Sequence, residues 1–289
     1  MTADAQTSYY LPHGTKWPIL GSIGLTLMLG GFAAMLNGGG AGSTFLILGA
    51  LVIIAMMFLW FGQVISESEN KLYNHQVDRS FRWGMGWFIF SEVCFFAAFF
   101  GALFYARMYS IPWIGGEGTG GSTNEFLWPN FESHWPTNGP ENVGGDYQVM
   151  GAWGVPAINT AILLTSGLTV TWAHWGILKN NRFQFNFALL LTVLLGFIFV
   201  GFQAYEYYEA YNHLNLTLNT GMYGSTFFML TGFHGFHVTI GAIMLLVMLI
   251  RGLRGHFDED NHFAFEAAAW YWHFVDVVWL GLFIFVYWL

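Results

Sequence analysis

The sequence predicts an all-α polytopic membrane protein of seven transmembrane helices, and three observations carry that prediction. Hydrophobic residues make up 55% of the chain and charged residues only 9%, where a soluble domain carries about a quarter charged. The apolar residues gather into seven runs, each long enough to cross a bilayer. The cations fall almost entirely into alternate connections between those runs. The seventh run, Phe263 to Leu289, is the most unusual, because it holds Glu266, His273 and Asp276 among tryptophan and tyrosine rings. On a helix Glu266 and His273 share a face, and Asp276 lies one turn beyond His273. Exposing these groups to lipid costs several kcal/mol each, at roughly the level measured for helix-centre charges. That stripe is therefore expected to face protein, headgroups or water.

The chain opens on a short polar segment, residues 1–16, that contains Asp4 and no basic n-region. A cleaved secretory signal is not expected. Trp17 to Leu36 forms the first span and stops at Asn37-Gly38-Gly39-Gly40; Ser43 to Ile65 forms the second, so the two make a tight hairpin. A polar stretch, Ser66 to Arg82, follows. Trp83 to Met108 is the third span. A long loop, Tyr109 to Gly151, is rich in Gly, Pro, Asn and Trp. The remaining spans are Trp153 to Leu178, Gln184 to Tyr205, Met222 to Ile250 and Phe263 to Leu289. No internal repeat relates one half to the other, and no span is broken at its middle, which counts against a transporter built from inverted repeats.

Lys and Arg orient the chain. With the N-terminus cytoplasmic, Lys16, Lys71, Arg79, Arg82, Lys179, Arg182, Arg251 and Arg254 all lie inside and only Arg107 lies outside, a strong positive-inside bias. The C-terminus is then periplasmic. The net charge of −8 includes five acidic residues and no cation in the outer loop. No basic stripe points to nucleic acid. The lone cysteine, Cys94, excludes an intrachain disulfide and a cysteine-based zinc site; as a small hydrophobe in an apolar run it is expected to be buried.

Several polar groups fall within the spans. Glu92 comes roughly ten residues into the third span, near mid-membrane at ~1.5 Å per residue. An intramembrane carboxyl is a functional candidate by default, and a hydrogen-bonded structural acid is the alternative. Asn159, Ser166, Thr169 and His174 share one side of the fourth span, in the manner of groups that bind helices together. His234 and His237 lie one turn apart on the sixth. With Glu92, His174 and His273 they could ligate haem or a metal pair, but a carboxylate-bridged centre needs Glu-x-x-His pairs that these spans lack. Glycines beside His234 suggest close packing with hydrogen-bonded histidines instead, and no metal ligand is assigned. Trp60 and Phe61, ahead of Glu67, His75 and Arg82, and Arg251 and Arg254 at the end of the sixth span, suit helix anchoring or phosphate-headgroup contact.

Long stretches of this sequence resemble cytochrome c oxidase subunit III. Ser91-Glu92-Val93-Cys94-Phe95-Phe96 is similar to the family's membrane glutamate motif, and His134-Trp135-Pro136 to the element before its fourth helix. Pro156 to Thr160, Leu163-Leu164, Ser166-Gly167 and Trp172-Ala173-His174 resemble that helix itself. Gln203 to Ala210 is similar to the end of the fifth helix. Tyr223 to Phe228 with Thr231 to Val238 resembles the sixth. Phe265-Glu266-Ala267 with Ala269 to Trp279 resembles the seventh almost letter for letter.

The resemblance implies a single subunit over 1–289. Its helices one and two (1–82) and three to seven (83–289) would form two groups separated by a lipid-filled cleft. It implies phospholipid contacts at Trp60, Phe61, Glu67, His75, Arg82, Arg251, Glu266 and Trp270, and a proton-related role for Glu92. Phe61 replaces the family's usual second tryptophan, and the loop after it differs by one residue in length. The implied function is that of a core subunit without haem or copper of its own. Those cofactors would sit in partner subunits I and II of a proton-pumping oxidase that takes electrons from cytochrome c to oxygen. An outer loop longer than in mitochondrial relatives, and two spans that the five-span ubiquinol oxidase cousins lack, favour a bacterial plasma-membrane protein of the cytochrome c branch. Two other classes stay open: an ion carrier using Glu92, His234, His237 and His273, and a self-contained haem or di-metal enzyme.

Overall fold

The computed structural model describes Tyr10 and residues 14–289; the segment around Asp4 lies outside the described residues. Among the described residues there is helix and no strand, and seven helices are long and apolar enough to cross a membrane. They are α1 (Trp17–Leu36), α2 (Gly42–Glu69), α3 (His75–Tyr105), α4 (Val155–Leu178), α5 (Arg182–His213), α6 (Gly221–Leu253) and α7 (Phe263–Leu282). The chain divides into two compact units, Met1–Trp83 and Gly84–Leu289, with α3 beginning in the first and continuing in the second.

Hydropathy placed several ends too early. Most of the polar stretch after the second span is helical, because α2 runs to Glu69 and α3 starts at His75. Backbone hydrogen bonds continue a helix through polar sequence once it has left the apolar layer. For the same reason α5 runs past Tyr205 to His213, and the helix after α3 continues through a π-turn, Ala106–Ser110, to Ile114. The outer segment also holds a short helix, Gly121–Leu127.

In the first unit α1 and α2 form an antiparallel hairpin whose backbones touch. A Cβ on Gly31 would overlap the Leu46 backbone, one on Gly42 the backbone of Met35, and one on Gly49 that of Met28. Gly24 and Gly31, like Gly42 and Gly49, are seven apart, which keeps each pair on one face. Small residues at that spacing permit close helix approach in lipid, where van der Waals contact replaces the hydrophobic effect as the driving force. The indole of Trp17 fastens the open end of the hairpin by donating to Gln63 Oε1 at 2.8 Å.

The second unit is built around α7. Trp272 and Trp279 are both fully buried. The ring of Trp272 lies in a slot between α5 and α6 that exists because Gly196 and Gly241 have no side chain: a Cβ would come within 2.7 Å of Cη2 from the first and 2.9 Å of Cε3 from the second. Its N–H donates to Ser166 Oγ on α4 at 2.9 Å, and the Trp279 N–H donates to Thr160 Oγ1 at 2.9 Å. Trp279 meets Phe199 edge-on at 4.7 Å and stacks on His234 at 5.2 Å. One helix thereby contacts α4, α5 and α6. Thr169 on α4 and Thr192 on α5 add a hydroxyl pair at 2.8 Å.

α3 joins this group through phenyl rings, with Phe95 against Phe233 at 5.0 Å, Phe96 against Phe274 at 6.0 Å and Phe100 against Phe285 at 6.2 Å. Cys94 is exposed, contrary to the expectation of burial. It lies two residues from the buried Phe96, so about 200° of helical turn points it away from the core.

Trp272→Phe keeps the ring in its slot and removes the bond to Ser166, which should lower stability by about 1–2 kcal/mol. Gly241→Leu fills the slot and should cost more than that, since overpacking shifts two helices. Thermal unfolding of the purified assembly, monitored by loss of this chain, checks the ranking.

Candidate functional site

The polar groups buried in the second unit gather at separate depths along the helices. α3 carries Glu92 one turn before Phe96, on the same face, and so turns it toward α6. There Glu92 Oε2 lies 2.8 Å from Nε2 of His237, with side-chain exposures of 20% and 10%. The other ring nitrogen of His237, Nδ1, lies 2.6 Å from the Phe233 carbonyl oxygen. A carbonyl only accepts, so Nδ1 carries a proton. The short contact on the opposite side of the ring then needs one further proton, held by the carboxyl or by Nε2. In both forms the pair is electrically neutral overall and shares one transferable proton. Phe95, Phe96 and Tyr271 ring the imidazole at 5.9, 5.0 and 6.3 Å. Glu92 is therefore hydrogen-bonded to one of the two histidines on α6.

His234, one turn earlier, behaves differently from the hydrogen-bonded histidine expected there. It is fully buried, and neither ring nitrogen has a hydrogen-bond partner among the described residues. Its contacts are aromatic, to Trp279, Phe199 and Phe96. His234, His237, His174 and His273 do not converge on one point. His273 is half exposed, 3.2 Å from Thr171 Oγ1 and 3.5 Å from Asp276 Oδ2. Asp276 is buried against Gly167, where any Cβ would collide with it.

Glu206 was missed because the fifth span was ended at Tyr205. It is fully buried, and the Tyr287 hydroxyl donates to its Oε1 at 2.5 Å. The available signal was the pair Gln203 and Glu206, three apart and so on one helix face; both are buried.

The residues that the family resemblance assigns to lipid divide between the two units. In the first, Glu67 accepts from Gln63 Nε2 at 2.7 Å and from the Tyr73 hydroxyl at 2.8 Å, while Tyr10 meets Tyr73 edge-on. Burial, and then the bond to Glu67, push the Tyr73 hydroxyl above its ordinary pKa. Arg82 Nε pairs with Asp78 at 2.8 Å, His75 is exposed at the start of α3, and Trp60 and Phe61 are exposed and stacked at 6.3 Å. In the second unit Arg251 is only 6% exposed, its guanidinium 4.6 Å above the Phe257 ring. Trp270 is partly exposed with its edge on Phe263. Glu266 lies near His262 and His174, the one group of three potential metal-ligating residues among those described.

The outer segment folds onto the second unit. Tyr147 and Trp135 pack on Tyr223 at 5.7 and 5.9 Å, and Asn215, in the left-handed region at φ 50°, donates to the Asp146 carbonyl. Burial raises the pKa of the Tyr147 hydroxyl.

Seven apolar helices, with buried polar groups largely paired inside them, define an integral multi-pass membrane protein. Comparison with known proteins makes this specific. The family model for cytochrome c oxidase subunit III matches residues 7–119 and 129–289, leaving out residues 1–6 and part of the outer segment. The chain is 43% identical to the cytochrome c oxidase subunit 3 of Marchantia polymorpha and 42% identical to that of Arabidopsis thaliana, covering all of this chain and 98% of each relative. It is 40% identical to that of Homo sapiens over 97% of both chains. The chain belongs to the cytochrome c oxidase subunit III family. It is a subunit of a terminal oxidase, an oxidoreductase complex of aerobic respiration.

His237→Phe leaves the Glu92 carboxyl without its partner and should destabilise the second unit by about 1–3 kcal/mol. Glu92→Gln keeps a donor opposite Nε2 and should cost less. Thermal retention of the subunit in the two variant complexes tests the difference.

Proposed function

We propose that this chain is the non-redox core subunit of a cytochrome c-oxidising, proton-pumping oxidase. In this reading haems and coppers belong to subunits I and II, and the chain stabilises the catalytic subunit, holds phospholipid and keeps proton uptake fast. The observation that carries the proton part is the Glu92–His237 bond, whose geometry leaves one shared proton in an otherwise aromatic setting. A neutral pair can exchange that proton between oxygen and nitrogen without creating net charge in a low-dielectric region, which is what a proton-handling group at this depth requires.

The lipid part rests on chemistry at the helix ends. Trp60, Phe61, His75 and Arg82 combine exposed rings with basic groups, as headgroup sites do. Glu67, Arg251, Glu266 and Trp270 complete the set by resemblance. Arg251 lies over Phe257, so its contribution is to hold the end of α6 as well as to offer charge. The positive-inside pattern supports a cytoplasmic N-terminus and a periplasmic C-terminus, and the long outer segment supports a bacterial plasma membrane.

In the assembled complex, Glu92→Gln should slow proton uptake or shorten the active lifetime during turnover, with the haem spectrum unchanged. Oxygen consumption, proton release from vesicles and loss of rate over successive turnovers measure this. Wild-type values for all three would make Glu92 structural only.

A further inference from the structure

We infer that His174, His262 and Glu266 form a binding site for a redox-inert divalent cation with the ligand preferences of zinc, clamping the end of α4 to the start of α7. The donor atoms of the three residues all lie within 4.8 Å of one another. His262 Nε2 is 2.9 Å and His174 Nε2 3.9 Å from Glu266 Oε1. Three ligands around a tetrahedral zinc, with bonds of ~2.0–2.1 Å, stand roughly 3.3 Å apart. Side-chain shifts of well under a rotamer change convert one arrangement into the other.

The protonation pattern favours a metal. His262 is 7% exposed, and its Nδ1 lies 3.0 Å from the carbonyl oxygen of Asp258. That bond puts the ring proton on Nδ1 and leaves the Nε2 lone pair aimed into the cluster. A backbone carbonyl behind the distal nitrogen is the usual outer support of a metal-bound histidine. Nε2 makes no hydrogen bond despite its burial and lies 2.9 Å from Glu266 Oε1, so a nitrogen lone pair and a carboxylate oxygen face each other across the cluster, an arrangement that a cation between them would satisfy.

The elements also fit. His262 caps α7, and Glu266 follows one turn later on the same face. The rings of His174 and His262 are 5.7 Å apart and steeply inclined, so their nitrogens converge without stacking. The His174 side chain is 33% exposed, which leaves an entry path and room for water as a fourth ligand. Two imidazoles and one carboxylate suit zinc better than magnesium or calcium, which take oxygen ligands.

The test uses the purified oxidase complex, stripped with a chelator, equilibrated with Zn2+ alone and analysed for bound zinc per haem. Wild type should bind one more tight equivalent than His262→Ala or Glu266→Gln, and His174→Ala should weaken that equivalent at least tenfold. His134→Ala, in the outer segment, should match wild type. His262→Cys keeps a zinc ligand and should retain the ion with a Zn–S distance of ~2.3 Å in X-ray absorption. That variant decides the matter if the others lose the subunit. Equal zinc content and affinity in wild type and in variants that retain the subunit, or no sulfur neighbour in a zinc-loaded His262→Cys complex, would overturn the site.

Discussion

The second unit depends on the seating of one indole. Trp272 brings a large flat ring to a point where three helices must approach closely, and Gly196 and Gly241 make the room. In lipid no hydrophobic force draws α7 toward α5 and α6, since lipid tails are as apolar as leucine. Shape and hydrogen bonding carry the association instead. The ring fills a slot that no smaller side chain would fill, and its N–H finds Ser166 on the fourth wall. Trp279 repeats the arrangement two turns on with Thr160. The positions of His273, Asp276 and Glu266 follow from that seating, because they ride on the same helix.

The buried carboxyl groups of the second unit obey a common constraint: each is placed so that charge need not be isolated. Glu92 and His237 share a proton between them. Glu206 has the Tyr287 hydroxyl. Asp276 has His273 beside it. His234 is held differently, as an aromatic ring against Trp279. An imidazole surrounded by rings and lacking hydrogen bonds is best neutral, so its contribution to the unit is its shape. The same residue type one turn apart on α6 thus serves two ends, decided by what α3 and α7 present to each position.

Much of the architecture was legible in the sequence, because seven spans, their order and the tight first hairpin all follow from runs of apolar residues and a triple glycine. The membrane carboxyl at Glu92 was legible too, since charge inside a span is rare. What the sequence did not show were pairings across helices. Nothing in the spacing of α3 and α6 says that Glu92 meets His237 rather than His234, because helix rotation is set by packing. Cys94 was expected to be buried because its run is apolar, yet an apolar run in lipid has two kinds of apolar neighbour. Glu206 was hidden by ending a span where hydropathy fell, while the helix and its burial continued. His262 stands just outside the seventh apolar run, so hydropathy gives no link between it and Glu266, four residues later.

The glycine-to-backbone contacts of the first hairpin bear on how the chain is made. α1 and α2 touch across a short connection, Asn37 to Ala41, and their close approaches link Gly31 to Leu46, Gly42 to Met35 and Gly49 to Met28. Such contacts are local in sequence and need little loop-closure entropy. Closure of this hairpin is therefore fast relative to contacts between helices far apart in sequence. Once α1 and α2 have met, their contacts draw on no distant part of the sequence, so the pair can form as an element of its own.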